Sequence, residues 1–301
     1  MITINDTEVF YAFSADLEPV LTVAQGQQFT LQTRDCFANQ LTSDEDTLDN
    51  LDWNQINPAT GPVAIEGVQA GNLVRIDIID IELIGKSVMT TIPGSGAIAG
   101  VTEASTKILD NSGGVLSLST ALGDLQLPLK PMIGVIGFAP ATGAIANGTP
   151  GEHGGNMDCK LIGSGSSLYL RAAVAGGLFG CGDVHALMGD GEVVVCGAET
   201  PARITVSASV VDQASLPVPF LVSEGLYSSI ASAESSDLAF SKAVDQMFVF
   251  LTEIVGLSQT DAGRLMSLVG DLRFCQVVDP LITVRFDFPS EVLEALGFSG
   301  I

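Results

Sequence analysis

The sequence predicts a mainly β protein, β-sandwich- or barrel-like, with a smaller α/β portion that contains a late helical hairpin. Three observations predict it. Apolar and polar residues alternate over short stretches through most of the chain, 33 glycines punctuate those stretches, and a repeat of three to four residues replaces the alternation only after Ser223. The expected divisions are an N-terminal β domain over 1–130, a glycine-rich β region over 131–222 that carries the site motifs, and an α/β region over 223–301.

The elements follow in chain order. Residues 28–33 and 73–80 alternate with the period of two that marks half-buried strands, each after a glycine turn at Gly26 or Gly71. Between them, 42–52 carries Asp44, Glu45, Asp46, Asp49 and Asp52, which reads as a solvated loop. Pro93, Gly94, Gly96 and Gly100 make 90–100 a long loop. A strand-like stretch over 114–129 leads into 131–138, where Gly134 and Gly137 among small apolar residues signal closely packed backbone. After the turn-rich 139–155, residues 167–174, 192–196 and 202–211 read as strands, β-branched in part. Leu238, Ala239, Val244, Phe248 and Leu251 place an apolar helical face on 237–251. A second helix is expected over about 260–269, capped by Ser258 or Thr260 and ended by Gly270, before strand character returns over 274–288.

Composition narrows function. Twelve Lys and Arg against 35 Asp and Glu leave a formal charge of −23, a field that repels phosphate backbones and anionic membranes, so no nucleic-acid partner is expected. No membrane partner is expected either, because no run reaches the roughly 20 apolar residues of a spanning helix. The first basic residue is Arg34, so a cationic signal region is missing and a cytoplasmic location is expected. Five cysteines at 36, 159, 181, 196 and 275 form no CxxC and suit buried thiols in a reducing compartment.

Chemistry concentrates between residues 150 and 200, where both histidines fall among glycines and carboxylates. One run is Gly151-Glu152-His153-Gly154-Gly155-Asn156-Met157-Asp158; the other is Gly182-Asp183-Val184-His185-Ala186 with Gly189-Asp190-Gly191-Glu192, and Glu199 follows. Asp183 and His185 at i and i+2 share one face of a strand and suit a single metal ion. Zn2+ accepts imidazole and carboxylate and leaves a position for water. Asp158 and Glu199 would join through the fold. The plainer alternative makes His185 a structural histidine, Asp183 a turn residue and 190–192 a hairpin turn. Cys159 or Cys181 as a nucleophile near Glu152 and His185 is a further alternative, although Lys160 points away from Cys159 on an extended chain. No GxxxxGK[ST] loop supports nucleotide binding.

The same runs, with Asn57-Pro58-Ala59-Thr60-Gly61-Pro62 upstream, the 131–140 stretch, the surroundings of 35–41, and Val277-Val278-Asp279-Pro280 downstream, resemble the acetamidase/formamidase family over nearly the whole chain. The resemblance implies hydrolysis of formamide, acetamide or a similar small neutral amide to carboxylate and ammonia, self-association as a homo-oligomer (dimer or higher), and a divalent metal, zinc first and calcium second. It implies a site drawn from Asp35, Glu66, Asn156, Asp158, Asp183, His185 and Glu199. Metal ligands would come from Asp35, Asp158, Asp183, His185 and Glu199. Glu199, Asp158 and Asn156 would act in catalysis, Glu199 as the base, and the N–H groups of Gly154-Gly155 would face the developing oxyanion. Met188 departs from the family pattern at a position where a polar residue is common. Hydrolysis of another non-peptide C–N bond and calcium-dependent binding without turnover are the competing readings.

Overall fold

The structure, a computed structural model, describes residues 2–213 and 215–301. Two open sheets dominate. The larger has nine strands in the order Ile2–Ile4, Phe29–Thr33, Ala202–Val210, Leu73–Leu83, Ser167–Arg171, Phe220–Ser223, Leu226–Ala233, Ile282–Pro289 and Asp271–Gln276, so it draws on all three expected segments. The smaller orders Gly154–Asn156, Met132–Gly137, Phe179–His185, Ala59–Ile65 and Val9–Phe10, with Leu21–Val23 beside Ala59–Ile65. The mainly β expectation holds as a sandwich, and neither sheet closes into a barrel.

The alternation in the sequence becomes the sandwich core. Val74, Ile76 and Ile78 are buried while Arg75 and Asp77 between them stay half-exposed, and Ile204, Val206 and Ala208 repeat the pattern on the neighbouring strand. These side chains meet Val63, Ile133, Ile136, Phe179 and Val184 of the smaller sheet in one apolar cluster. Burial of this kind stabilises by roughly 1.5–3 kcal/mol per large side chain.

The other half of the large sheet is covered by the helical hairpin. Ser236–Val249 is capped by Ser235, whose side chain accepts from the Leu238 N–H, and runs on into a π-helical turn, Phe250–Ile254. Gln259–Val269 is capped by Ser258, which settles the choice left open between Ser258 and Thr260. Their buried face, with Ala239, Ala243, Met247 and Phe250, packs on Phe220, Tyr227, Val284 and Phe288. Among the described residues no helix is long and apolar enough to cross a membrane.

Three sequence expectations change. Residues 192–196 form turns rather than a strand. The 114–129 stretch is a hairpin of two strands, Val115–Thr120 and Gly123–Pro128. The acidic run at 42–52 is not merely solvated: Asp46 accepts from the N–H groups of Thr42 and Ser43, Asp52 accepts from Asn54, and Asp44 holds Ile108 and Lys107.

Candidate active site

The end of the Phe179–His185 strand carries Asp183 and His185 into the interior, both at most 3% exposed. The adjacent Met132–Gly137 strand makes room for them. Its register, Ile133 to Val184 and Val135 to Gly182, sets Gly134 opposite Asp183, where a Cβ would lie 2.6 Å from Asp183 Oδ2 and closer still to Asp158 Oδ1. Asp158 follows the Gly154–Asn156 strand and is fixed by the Met157 N–H donating to Gly134 O. Glu199 is tied by paired backbone bonds to Val88 and bridges to His185.

The imidazole is ringed by carboxylates. His185 Nε2 lies 3.1 Å from Glu199 Oε1, 3.3 Å from Asp183 Oδ1, and 3.8 Å from both Asp158 Oδ1 and Glu192 Oε1. Its Nδ1 meets Met188 Sδ at 3.3 Å. Gly197 also crowds the ring and donates its N–H to Glu199 Oε1 at 2.9 Å. Asn156 Nδ2 donates to Asp279 Oδ2 at 2.9 Å, and Gln276 shapes the turn that presents Asp279 by accepting from the N–H groups of Val278 and Asp279.

Among the described residues, four buried oxygen atoms here receive no N–H or hydroxyl hydrogen bond: both of Asp158, Oε2 of Glu199 and Oδ1 of Asn156, and the groups that crowd Asp158 and Glu199 are mostly other carboxyls. Unpaired buried carboxylates are costly, and proton uptake or a cation relieves them. Burial, with Asp183 alongside, pushes Asp158 up to about 7 against the pull of His185. Burial likewise lifts Glu199 to about 8. It drives Glu192 and Asp279 well above the carboxylate range, with the charge of Asp158 the next contribution for each. His185 moves the other way from a desolvated imidazole: burial lowers it, but Glu199 and Asp183 outweigh burial and raise it well above the ordinary value.

The donor set fits a divalent cation. Ligand atoms of Asp158, His185 and Glu192 lie within 4.8 Å of one another, as do those of Cys36, Asp183 and Glu199. The structure thus brings Asp158, Asp183, His185 and Glu199 together as expected and sets Asn156 at the rim. Asp35 supplies no atom to either set, but it is buried beside Cys36: its Oδ1 accepts from the Asn39 N–H, and burial, with Asp183 adding to the rise, lifts it to about 6. Glu66 is exposed and lies outside the site.

Glu192, Asp279 and Cys36 are the residues that sequence reasoning missed. Glu192 sits in the turn that was expected to be only a hairpin connection. The cysteine alternative loses its geometry: Cys181 is fully buried, with its thiol pushed up by burial, and Cys159 packs in the core beside Cys275. Lys160 binds Asp190 at 3.0 Å. The N–H of Gly154 donates to Gly151 O, so it does not face the site. His153 is turned away, edge-on to Phe13 at 5.4 Å, and burial lowers it to about 4.

A sequence profile described as the Acetamidase/Formamidase family matches residues 2–147 and 142–294. The chain belongs to the acetamidase/formamidase family. It is similar over 99% of its length to the acetamidase of Bacillus halodurans, with 39% identity, a TM-score of 0.95 and all of that chain covered. A predicted acetamidase/formamidase of Thermoanaerobacter tengcongensis is 40% identical with a TM-score of 0.93, covering 98% of each chain. A formamidase of Methylophilus methylotrophus is 23% identical over 64% of this chain and 61% of that protein. The family fold therefore extends over the whole structure, while the chain spans about 60% of the length of the curated relatives it matches.

Proposed function

We propose that this family member hydrolyses linear amides to a carboxylate and ammonia, using a divalent cation held by Asp158, Asp183, His185 and Glu199, with Glu192 as an added ligand. Zinc suits the nitrogen donor of His185 better than calcium, which prefers oxygen alone. The observation that carries the reading is the set of buried oxygens on Asp158 and Glu199, beside His185, that receive no N–H or hydroxyl hydrogen bond. When bound, the cation supplies Lewis acidity to a water and to the amide carbonyl.

The protein's own groups divide the remaining work. Glu199 Oε1, which also receives the Gly197 N–H, would turn from His185 to the cation when one is bound, and Oε2 would take a proton from the attacking water and return it to the departing nitrogen. Asn156 is oriented through Nδ2 by Asp279, so the free Oδ1 accepts from the substrate N–H. The buried surroundings exclude bulk water, which strengthens each of these contacts. A cytoplasmic location and self-association as a dimer or larger homo-oligomer belong to the same reading, and light scattering checks the second.

The test is ammonia release from formamide, acetamide, propionamide and urea by protein as purified, after chelation, and after zinc or calcium add-back. Release that chelation abolishes and one ion restores is the expected result. Silence across the panel in metal-replete protein overturns the proposal.

A further inference from the structure

Next to the site lies a cavity of about 290 Å³ whose wall includes Leu116, Leu118, Leu127, Leu187, Met188 and Glu192. Three of its lining residues, Met188, Glu192 and Gly197, stand between it and the imidazole, which does not itself line it. Met188 Sδ touches His185 Nδ1 at 3.3 Å, Glu192 Oε1 stands 3.8 Å from Nε2, and Gly197, which also borders the cavity, packs so closely that a Cβ would lie 2.8 Å from His185 Cγ. Leu116, Leu118 and Leu127 come from the Val115–Pro128 hairpin, where Leu116 faces Leu127 in the register. Asp190 borders the cavity too, but Arg285 at 2.7 Å and Lys160 at 3.0 Å engage its carboxylate.

Size and chemistry together specify an occupant. A volume of about 290 Å³ is near the lower end of small-molecule pockets. The hydrogen of formamide or the methyl of acetamide would leave most of it empty and forfeit contacts with the leucine wall. Leucine and methionine side chains offer no hydrogen bond to a hydroxylated or charged arm, which would lose its hydration without compensation.

We propose that the preferred substrates of this chain are amides with an unbranched apolar acyl arm of about four to six carbons, seated in this leucine-lined cavity while the amide lies against the His185 cluster. The inference rests on the amide-hydrolysis reading above and narrows its substrate class.

The experiment is the kcat/KM series acetamide, propionamide, butyramide, valeramide and hexanamide, read by ammonia release from metal-replete enzyme. The expected rise is about fourfold per methylene, the equivalent of burying each one. Leu118→Trp, which fills the cavity, is expected to lower the hexanamide-to-acetamide ratio at least tenfold. Leu118→Ala, which enlarges it, is expected to move the optimum to a longer arm, so the assignment does not depend on one variant folding. Acetamide cleavage with a flat or falling profile overturns the acyl cavity and leaves amide hydrolysis standing. A rising profile that both variants leave unchanged places the arm elsewhere and also overturns it. No ammonia from any member fails the hydrolysis reading itself.

Discussion

Gly134→Ala puts one methyl group between the two carboxylates that the site depends on. Gly134 is not among the positive-φ glycines, so alanine meets no backbone penalty and the effect is purely steric. The new Cβ stands 2.6 Å from Asp183 Oδ2, about 0.8 Å inside the 3.4 Å where ordinary contact begins, and it presses harder on Asp158 Oδ1. Neither side chain has room to yield, since both residues are at most 3% exposed. Overpacking of this kind costs about 1–3 kcal/mol, which for a chain of 301 residues lowers the melting temperature by roughly 2–5 °C. The functional cost is larger, because displacing a catalytic group by about 1 Å reduces turnover on the order of 10²-fold. Bound metal per chain by mass spectrometry, melting temperature, and ammonia release on the best substrate are measured together. A variant that keeps wild-type metal content and wild-type turnover refutes the placement of Asp158 and Asp183 as a joint ligand pair.

Other substitutions separate steric, electrostatic and backbone effects. Gly263→Ala lies on the exposed side of the Gln259–Val269 helix with nothing within 4 Å of its Cβ, so it should stabilise by about 0.5–1 kcal/mol and leave turnover unchanged. Asp158→Asn keeps a residue that tolerates the left-handed backbone at φ 43°, and is expected to lower ammonia release by about 10²–10⁴-fold. It should leave the melting temperature of metal-free protein no lower than that of wild type, because a buried charge beside Asp183 is gone. Asp190 gives the pH signature of the fold. Burial raises it, but the hydrogen bond and charge of Arg285, with those of Lys160, prevail and lower it. Its contribution is therefore complete above the unfolded value of about 3.9 and is lost as pH falls through the lower folded value. Melting curves from pH 5 to pH 2 should lose that part of their slope in Arg285→Met. This variant also breaks a buried network and should cost about 3–5 kcal/mol at neutral pH.

What the sequence made legible was local. Val74, Ile76 and Ile78 announce a strand with one buried face, and Ser258 and Thr260 together announce a helix start, because period and capping operate within a few residues. The D-x-H pair was legible for the same reason, and Asp183 Oδ1 does meet His185 Nε2 at 3.3 Å. Asp279 arrives from 94 positions beyond His185 on a turn shaped by Gln276, and Cys36 from the opposite end of the chain, so no local spacing could place either. Glu192 was hidden differently: Asp190-Gly191-Glu192 has the composition of a turn and is one, yet the turn serves to aim a carboxylate inward. Gly134 could be read as closely packed backbone, but only the register shows that what it packs against is a pair of carboxylates.

The backbone of the cluster supplies an argument of its own. Asp158, Asp183 and Glu192 adopt φ of 43°, 55° and 47°, the left-handed region that costs a residue with a side chain roughly 1–2 kcal/mol. Glycine would remove that strain, and this chain uses glycine freely in such positions, at Gly154, Gly155 and Gly191 among the immediate neighbours. Instead the three strained positions carry carboxylates whose oxygens converge within 3.8 Å of one imidazole nitrogen, so conformational strain and mutual repulsion fall on the same residues. A turn or hydrogen-bond fixture needs neither cost, and both would be relieved by small neutral residues. Backbone ladders to Gly134 and Val88 hold Asp158 and Glu199 in place regardless, which is how a strained arrangement persists when the surrounding structure over-determines it. Strain and charge concentrated at one buried point are what the proposed cation site predicts of its ligands, and a turn or hydrogen-bond fixture predicts neither.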